Sequence, residues 1–82
     1  MSPRTALITG ASRGIGRHLA LGFAEAGIDL GLMATSADAL VPVVEEIGGR
    51  VRVVPVAGDV AREVDLVRAV DQVARQLRSI DV

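Results

Sequence analysis

TGASRGIG, residues 9–16, is a glycine-rich stretch that joins a short apolar run to an amphipathic segment. The run from Thr5 to Thr9 predicts a buried strand, and the segment from Gly14 to Ala26 predicts a helix. The apolar positions of that helix recur at three- and four-residue spacing: Ile15, Leu19, Phe23 and Ala26. A glycine-rich turn between a strand and a helix is typical of a phosphate-binding loop.

Each glycine of the turn has its own physical purpose. Gly10 permits a sharp turn with a positive φ angle. Gly14 leaves out a Cβ where a pyrophosphate would approach the backbone, and Gly16 lets the helix pack closely on the strand. The start of the helix then offers free N–H groups and a partial positive charge to the phosphates. A plain tight turn would also use glycines, but the position after the first strand favours phosphate binding.

Two further strands are predicted along the chain. Ile28 to Ala34 forms the second, and Val51 to Val56 forms the third. Pro55 indicates that the third strand lies at a sheet edge or ends there, because proline cannot donate a hydrogen bond to a neighbouring strand. Residues 80–82, Ile-Asp-Val, have the pattern of a fourth strand that is just beginning.

Two further helices are predicted between and after these strands. Ser36 is a candidate N-cap for a helix that ends at Ile47, before two consecutive glycines. Proline is tolerated only in a first helical turn, so Pro42 means that this helix either begins near Val41 or is distorted there. The last helix spans residues 62–78, and its apolar stripe consists of Leu66, Val70, Val73 and Leu77.

The alternation of strands and helices predicts an α/β fold with a parallel sheet. We expect a Rossmann-type βαβαβα arrangement with strand order 3-2-1, and a fourth strand starting beside the first. This is an incomplete doubly wound fold, in which residues 1–82 form the N-terminal part of one dinucleotide-binding domain. The chain has 82 residues and is 50% hydrophobic. Such a chain fits either a small domain with strands buried on both faces or a piece of a larger protein.

Composition argues against several classes of function. A net charge of −1 gives no basic excess for nucleic acid or anionic lipid. No apolar run approaches the roughly 20 residues that cross a bilayer. There is no cysteine, and His18 is the single histidine with no second ligand nearby, so we expect no disulfide and no metal site. We expect a cytoplasmic protein.

The glycine spacing, Gly-x-x-x-Gly-x-Gly, differs from the general Rossmann fingerprint. As it stands, TGASRGIG resembles the cofactor signature of the classical short-chain dehydrogenases/reductases. The likeness continues through Gly27 and residues 34–36 (ATS), 58–60 (GDV) and 80–82 (IDV). It extends weakly to the bacterial 3-oxoacyl-ACP reductases within that family. The resemblance implies a nicotinamide-dependent oxidoreductase whose turn binds the cofactor through Gly10, Ser12, Arg13, Gly14, Ile15 and Gly16.

The end of the second strand bears on the choice between NAD and NADP. An acidic residue there accepts hydrogen bonds from the ribose and repels a 2′-phosphate, but residues 34–36 include no carboxylate. Arg13 offers a planar, charged donor suited to phosphate, and Thr35 and Ser36 add hydroxyl groups. The combination predicts NADP(H). Alternatively, Arg13 is a solvated loop residue and Ser36 a plain N-cap, and Asp38 would weaken the prediction if it reached the ribose.

Asp59 and Val60 follow the third strand. The resemblance implies that Asp59 accepts a hydrogen bond from the adenine amino group, while the backbone of Val60 touches the ring. The alternative is that Asp59 only caps the following helix.

The catalytic groups of the family are a serine, a tyrosine, a lysine and an assisting asparagine. This sequence contains no tyrosine, no lysine and no asparagine, so we assign it no catalytic residue and predict that it is inactive alone. The resemblance implies a fragment of a homo-oligomeric enzyme that moves hydride between NADP(H) and a carbonyl or alcohol substrate. Two alternatives stay open: a free-standing nucleotide-binding module, and a subunit whose catalytic half belongs to another chain.

Overall fold

The computed structural model describes residues 4–12 and 14–77. The strands are β1 (Thr5–Thr9), β2 (Asp29–Ala34) and β3 (Val53–Ala57). The helices are α1 (Gly14–Glu25), α2 (Val41–Ile47) and α3 (Glu63–Leu77), with a short 3₁₀ turn at Asp38–Leu40 before α2. The strand predicted at residues 80–82 lies outside the described residues.

The three strands form one parallel sheet in the order β1-β2-β3, which confirms the predicted order. Thr9 pairs with Met33, and Ala34 pairs with Ala57, so the strands end at the same edge of the sheet. β3 is an outer strand among the described ones, as Pro55 predicted. This common carboxyl edge is where open α/β sheets bind their ligands.

Helices cover both faces of the sheet. Leu30 and Leu32 of β2 lie in one apolar cluster with buried residues of α1 and α2. Met33 points to the other face, where it shares a second cluster with Val73 and Leu77 of α3. Burial on both faces explains why β2 is apolar at almost every position.

The predicted apolar stripes of two helices are partly wrong. In α1 the buried residues are Ala20 and Ala24, whereas Ile15 is 80% exposed and Leu19 46% exposed. In α3 Val70 is 41% exposed, and a neighbouring alanine, Ala69, is buried in its place. The reason is that helices approach the sheet most closely through small residues, which a stripe drawn through the large apolar residues overlooks.

The segment after β2 corrects the predicted N-cap. Ser36 caps no helix: the N-cap positions belong to Ala37 for the 3₁₀ turn and Leu40 for α2, and neither makes a side-chain capping bond. Of the two alternatives for Pro42, the structure has the first, because α2 begins at Val41 and places the proline in its first turn. The helix ends at Ile47, and its C-cap residue Gly48 has a left-handed backbone conformation.

The middle of β2 contacts α3 so closely that only glycine fits. A Cβ added to Gly31 would lie 2.5 Å from Cγ2 and 2.7 Å from Cγ1 of Val73. We therefore expect Gly31→Ala to lower the free energy of unfolding by about 1–3 kcal/mol, the usual effect of overpacking. Adding Val73→Ala removes both methyl groups that the new Cβ would contact. In urea denaturation, the double variant should therefore lose less free energy of unfolding than the two single variants lose together. Strict additivity would contradict this contact.

Candidate functional site

A cavity of about 90 Å³ opens where the three strands end. It is lined by Gly10, Met33, Ala34, Thr35, Gly58, Asp59 and Val60. These residues come from the ends of β1, β2 and β3, so the parallel topology itself brings together three segments that are distant in sequence. Two backbone hydrogen bonds fix the strand ends: Ala11 N donates to Met33 O at 3.2 Å, and Gly58 N donates to Ala34 O at 2.9 Å.

The glycine-rich turn has the geometry that its residues predict. Gly10 and Gly14 have φ angles of +61° and +64°, which favour glycine. Among the described residues, and apart from the chain neighbours and the backbone of α1 itself, no atom lies within 4 Å of the position that a Cβ would take on either residue, so this backbone is open to a ligand. At Gly16 an added Cβ would overlap the carbonyl oxygen of Gly10 and lie 2.9 Å from its carbon. The first turn of α1 therefore packs directly against the end of β1.

The end of β2 contributes Thr35, which carries a hydroxyl group, and no acidic residue to the described lining of the cavity. Thr35 is exposed and lines the cavity, directly after the buried Ala34. Ser36 is also exposed but does not line the cavity. Asp38, which could have weakened the prediction of NADP(H), lies in the 3₁₀ turn and is not among the lining residues.

The loop after β3 supplies the one carboxylate that lines the cavity. Asp59 Oδ1 accepts a hydrogen bond from Ala61 N at 2.9 Å, and the carbonyl of Asp59 accepts one from Arg62 N at 2.9 Å. Both donors precede α3, which begins at Glu63, so these bonds form a turn before the helix and do not cap it. Asp59 Oδ2 has no hydrogen-bond partner within residues 4–12 and 14–77, so binding an amino group is compatible with it.

A second aspartate, which sequence reasoning missed, holds this loop. Asp65 Oδ2 accepts a hydrogen bond from Asp59 N at 2.9 Å, and its Oδ1 pairs with Arg68 Nη2 at 3.0 Å. The hydrogen bond from Asp59 N, with the positive charges of Arg62 and Arg68, lowers the pKa of Asp65 below its ordinary value. The carboxylate is therefore ionised at neutral pH. Its position in the first turn of α3 is one where acidic residues often reach back to free N–H groups.

The predicted binding residues fall into three groups. Gly10, Thr35, Asp59 and Val60 meet at the cavity. Ser12, Gly14, Ile15 and Gly16 lie in the adjoining turn and the start of α1, where Ser12 is half-buried and Ile15 exposed. Ser36 follows the lining residue Thr35 in the sequence but does not itself line the cavity. Arg13 lies outside the described residues. Sequence reasoning did not select Met33, Ala34 or Gly58 as lining residues.

The arrangement fits a dinucleotide in its chemistry. The open backbone of Gly10 and Gly14 can approach a pyrophosphate, since glycine has no side chain of its own to keep the phosphates away. The carboxylate of Asp59 would repel a phosphate but accepts hydrogen bonds, so it suits the amino group of a base. Within the described part of the chain, no cluster of three or more potential ligands could hold a metal ion. In the same residues, no helix is long and apolar enough to cross a membrane.

These features define a Rossmann-type fold with a nucleotide-binding edge. The profile of the short chain dehydrogenase family matches residues 4–82. The chain therefore belongs to the short-chain dehydrogenase/reductase family, as the glycine-rich turn predicted.

Individual relatives place the chain within the family. It is 40% identical over 81 residues to a 3-oxoacyl-[acyl-carrier-protein] reductase, FabG, of Staphylococcus epidermidis, covering 96% of this chain and 33% of the relative. Two solved structures superpose well on it. The L-sorbose reductase of Gluconobacter frateurii, complexed with NADPH and L-sorbose, gives a TM-score of 0.89 at 35% identity, over 98% of this chain and 31% of the other. The 3-ketoacyl-(acyl-carrier-protein) reductase of Brucella melitensis, complexed with NADH, gives 0.85 at 31% identity, over 95% and 31%. The chain thus spans about a third of the length of these relatives.

Proposed function

We propose that this chain is the NADP(H)-binding part of a short-chain oxidoreductase that transfers hydride between NADP(H) and a carbonyl or alcohol substrate. The observation that carries the proposal is the composition of the cavity at the strand ends. It combines the open glycine backbone of the β1–α1 turn with a hydroxyl, and no carboxylate, at the end of β2. A 2′-phosphate is accepted at such a strand end, whereas a carboxylate there would repel it.

The proposed contacts divide by the part of the cofactor they serve. Backbone groups of Gly10, Ser12, Gly14 and Gly16 and the start of α1 at Ile15 receive the pyrophosphate, since the helix N-terminus carries a partial positive charge. The 2′-phosphate accepts hydrogen bonds from the hydroxyl groups of Thr35 and Ser36 and from the guanidinium group of Arg13. The adenine binds at the loop after β3. There Asp59 Oδ2 accepts a hydrogen bond from the amino group, and the half-exposed Val60 borders the ring.

Membership of the family does not by itself decide between NADPH and NADH. One solved relative holds NADPH and another holds NADH. We therefore attribute the preference proposed for this chain to its own residues Arg13, Thr35 and Ser36.

The reaction needs groups beyond these 82 residues. The bound cofactor supplies the hydride, and the protein must supply a proton donor or acceptor for the substrate oxygen. In the family this is a tyrosine assisted by a lysine, and the sequence has neither. The residues here would bind and orient the cofactor only. Inactivity of the isolated chain and a homo-oligomeric, cytoplasmic whole protein remain predictions.

Separate titrations of NADPH and NADH into the protein test the cofactor preference. We expect NADPH to bind at least about tenfold more tightly, because one charge-assisted hydrogen bond to the 2′-phosphate contributes about 1.5–3 kcal/mol. Arg13→Ala should remove most of that advantage and leave the affinity for NADH nearly unchanged. Isothermal titration calorimetry measures both constants.

Arg75→Ala is the matched control for this experiment. Arg75 is an exposed arginine near the end of α3, paired with Asp71, and α3 runs away from the site. Its loss changes the net charge equally but should leave the ratio of the two affinities untouched. Equal affinities in the unaltered protein, or a preference for NADH, would reject the proposal.

A further inference from the structure

We propose that Asp65 is a positioning residue for adenine recognition, acting through its hydrogen bond to the backbone of Asp59. The inference rests on the proposed function, because it assigns a role within the same cofactor site. Asp65 itself does not line the cavity, whereas Asp59 and Val60 both do. It therefore affects the ligand only through the loop that it holds.

The hydrogen bonds of the loop show why Asp65 matters. Gly58 N is bonded to Ala34 O, so the end of β3 is fixed, and α3 begins at Glu63. Between these points the N–H of Asp59 points to the carboxylate of Asp65 rather than to a neighbouring strand. This bond orients the peptide before Asp59, and so sets the direction in which the Asp59 side chain leaves the backbone.

A chain of contacts then extends from Arg68 to the cavity. Arg68 Nη2 donates a hydrogen bond to Asp65 Oδ1 at 3.0 Å, and Asp65 Oδ2 accepts one from Asp59 N at 2.9 Å. Asp59 Oδ1 accepts a hydrogen bond from Ala61 N, and Oδ2 has no hydrogen-bond partner within residues 4–12 and 14–77. The side chain of Asp65 is 12% exposed, against 58% for Asp71 on the same helix, so its position is well defined.

The packing of the loop supports the same role. A Cβ added to Gly58 would lie 3.3 Å from Asp65 Cβ and 3.0 Å from Met33 Cε. Asp65 thus lies against the backbone of the strand end as well as bonding the next residue. With Arg68 offsetting its charge, it can remain beside Asp59 without strong repulsion between the two carboxylates.

The test compares NADPH with its reduced hypoxanthine analogue, which has a carbonyl oxygen in place of the adenine amino group. The unaltered protein should prefer NADPH, because a carboxylate at Asp59 accepts from the amino group and repels the carbonyl. Asp65→Ala should reduce this preference about tenfold, as loss of an oriented charge-assisted hydrogen bond predicts. Asp65→Asn keeps an acceptor at the same distance and should retain most of the preference. A merely structural role would weaken both ligands equally and leave the ratio unchanged.

Asp71→Ala provides the matched control, because it removes an aspartate that pairs with an arginine on the same helix. This control should leave the ratio of the affinity for NADPH to the affinity for the hypoxanthine analogue unchanged. An unchanged ratio in Asp65→Ala, or a loss in Asp65→Asn as large as in Asp65→Ala, would overturn the inference. If Asp65→Ala does not fold, Asp65→Ser serves instead, because it removes the carboxylate that accepts the hydrogen bond from Asp59 N. An unchanged ratio of the two affinities in that variant would contradict the inference equally. Failure of the unaltered protein to bind NADPH would reject the proposed function itself, whereas binding without adenine preference would reject only the role of Asp59 and, with it, that of Asp65.

Discussion

Replacing Gly16 with alanine should destabilise the protein, so that it unfolds at a clearly lower urea concentration than the unaltered protein. The new Cβ would overlap the carbonyl oxygen of Gly10 and lie 3.2 Å from Ala11 Cα. Both neighbours are backbone atoms, and Ala11 is also bonded to Met33 of β2, so relief requires moving the whole turn. We expect a loss of about 1–3 kcal/mol in the free energy of unfolding. That is a large share of the roughly 4–12 kcal/mol typical for a chain of this size. Urea denaturation followed by far-UV circular dichroism measures it.

Gly22→Ala is the control for this variant. Gly22 lies in the same helix, and among the described residues no atom outside the chain neighbours and the backbone of that helix lies within 4 Å of the position its Cβ would take. Alanine is the better helix former by up to about 1 kcal/mol, so this variant should be stabilised. The same chemical change is thus expected to have opposite signs six residues apart in one helix. Two effects of the same sign and size would show that contact with the β1–α1 turn does not restrict this position to glycine.

The strands and their order could be predicted because the residues that decide them act locally. Short apolar runs ending at Gly10 and Gly58 leave few alternatives to buried strands. Helical segments between them allow only a parallel sheet, since a hairpin would need a short turn instead. The third strand begins two residues later than predicted, at Val53, because Val51 and Arg52 precede the first pairing with β2.

The helix faces could not be predicted in the same way. Hydrophobic periodicity gives most weight to large side chains, so it selected Ile15 and Leu19 in α1. The buried residues of α1 are instead Ala20 and Ala24, whose small size lets the helix lie close to the sheet, and Phe23 packs beside them against the same core cluster. Which of two possible faces is buried depends on the distance between helix and sheet, and this distance is a property of the fold rather than of the helix.

The candidate site was predictable to the extent that topology determines it. Gly10, Thr35 and Asp59 each follow a strand directly, so a parallel sheet must bring them to one edge. Asp65 was missed because its bond to Asp59 crosses a loop whose path the sequence does not specify. An acidic residue in the first turn of a helix is common, and only the folded structure shows that this one reaches back to Asp59.

Replacing Thr35 with aspartate should reverse the proposed cofactor preference. Thr35 is exposed and lines the cavity, so a charged side chain can be accommodated there without entering the core. The new carboxylate would stand where the 2′-phosphate is proposed to bind, and it would accept hydrogen bonds from the ribose hydroxyls of NADH. We expect the ratio of NADPH to NADH affinity to fall about 100-fold, which corresponds to about 2.7 kcal/mol, most of it from repulsion between the two anions.

Thr35→Asn separates this repulsion from a change of shape. Asparagine has nearly the size of aspartate but no charge, so it should alter the ratio only a little. The effect of aspartate should also shrink as salt is added, because the position is exposed and charges there are screened. Equal losses with asparagine and aspartate would mean that the hydroxyl of Thr35, rather than the absence of a carboxylate, selects the cofactor. No change with aspartate would place the 2′-phosphate away from the end of β2, and the proposal of NADP(H) would then lose the observation that carries it.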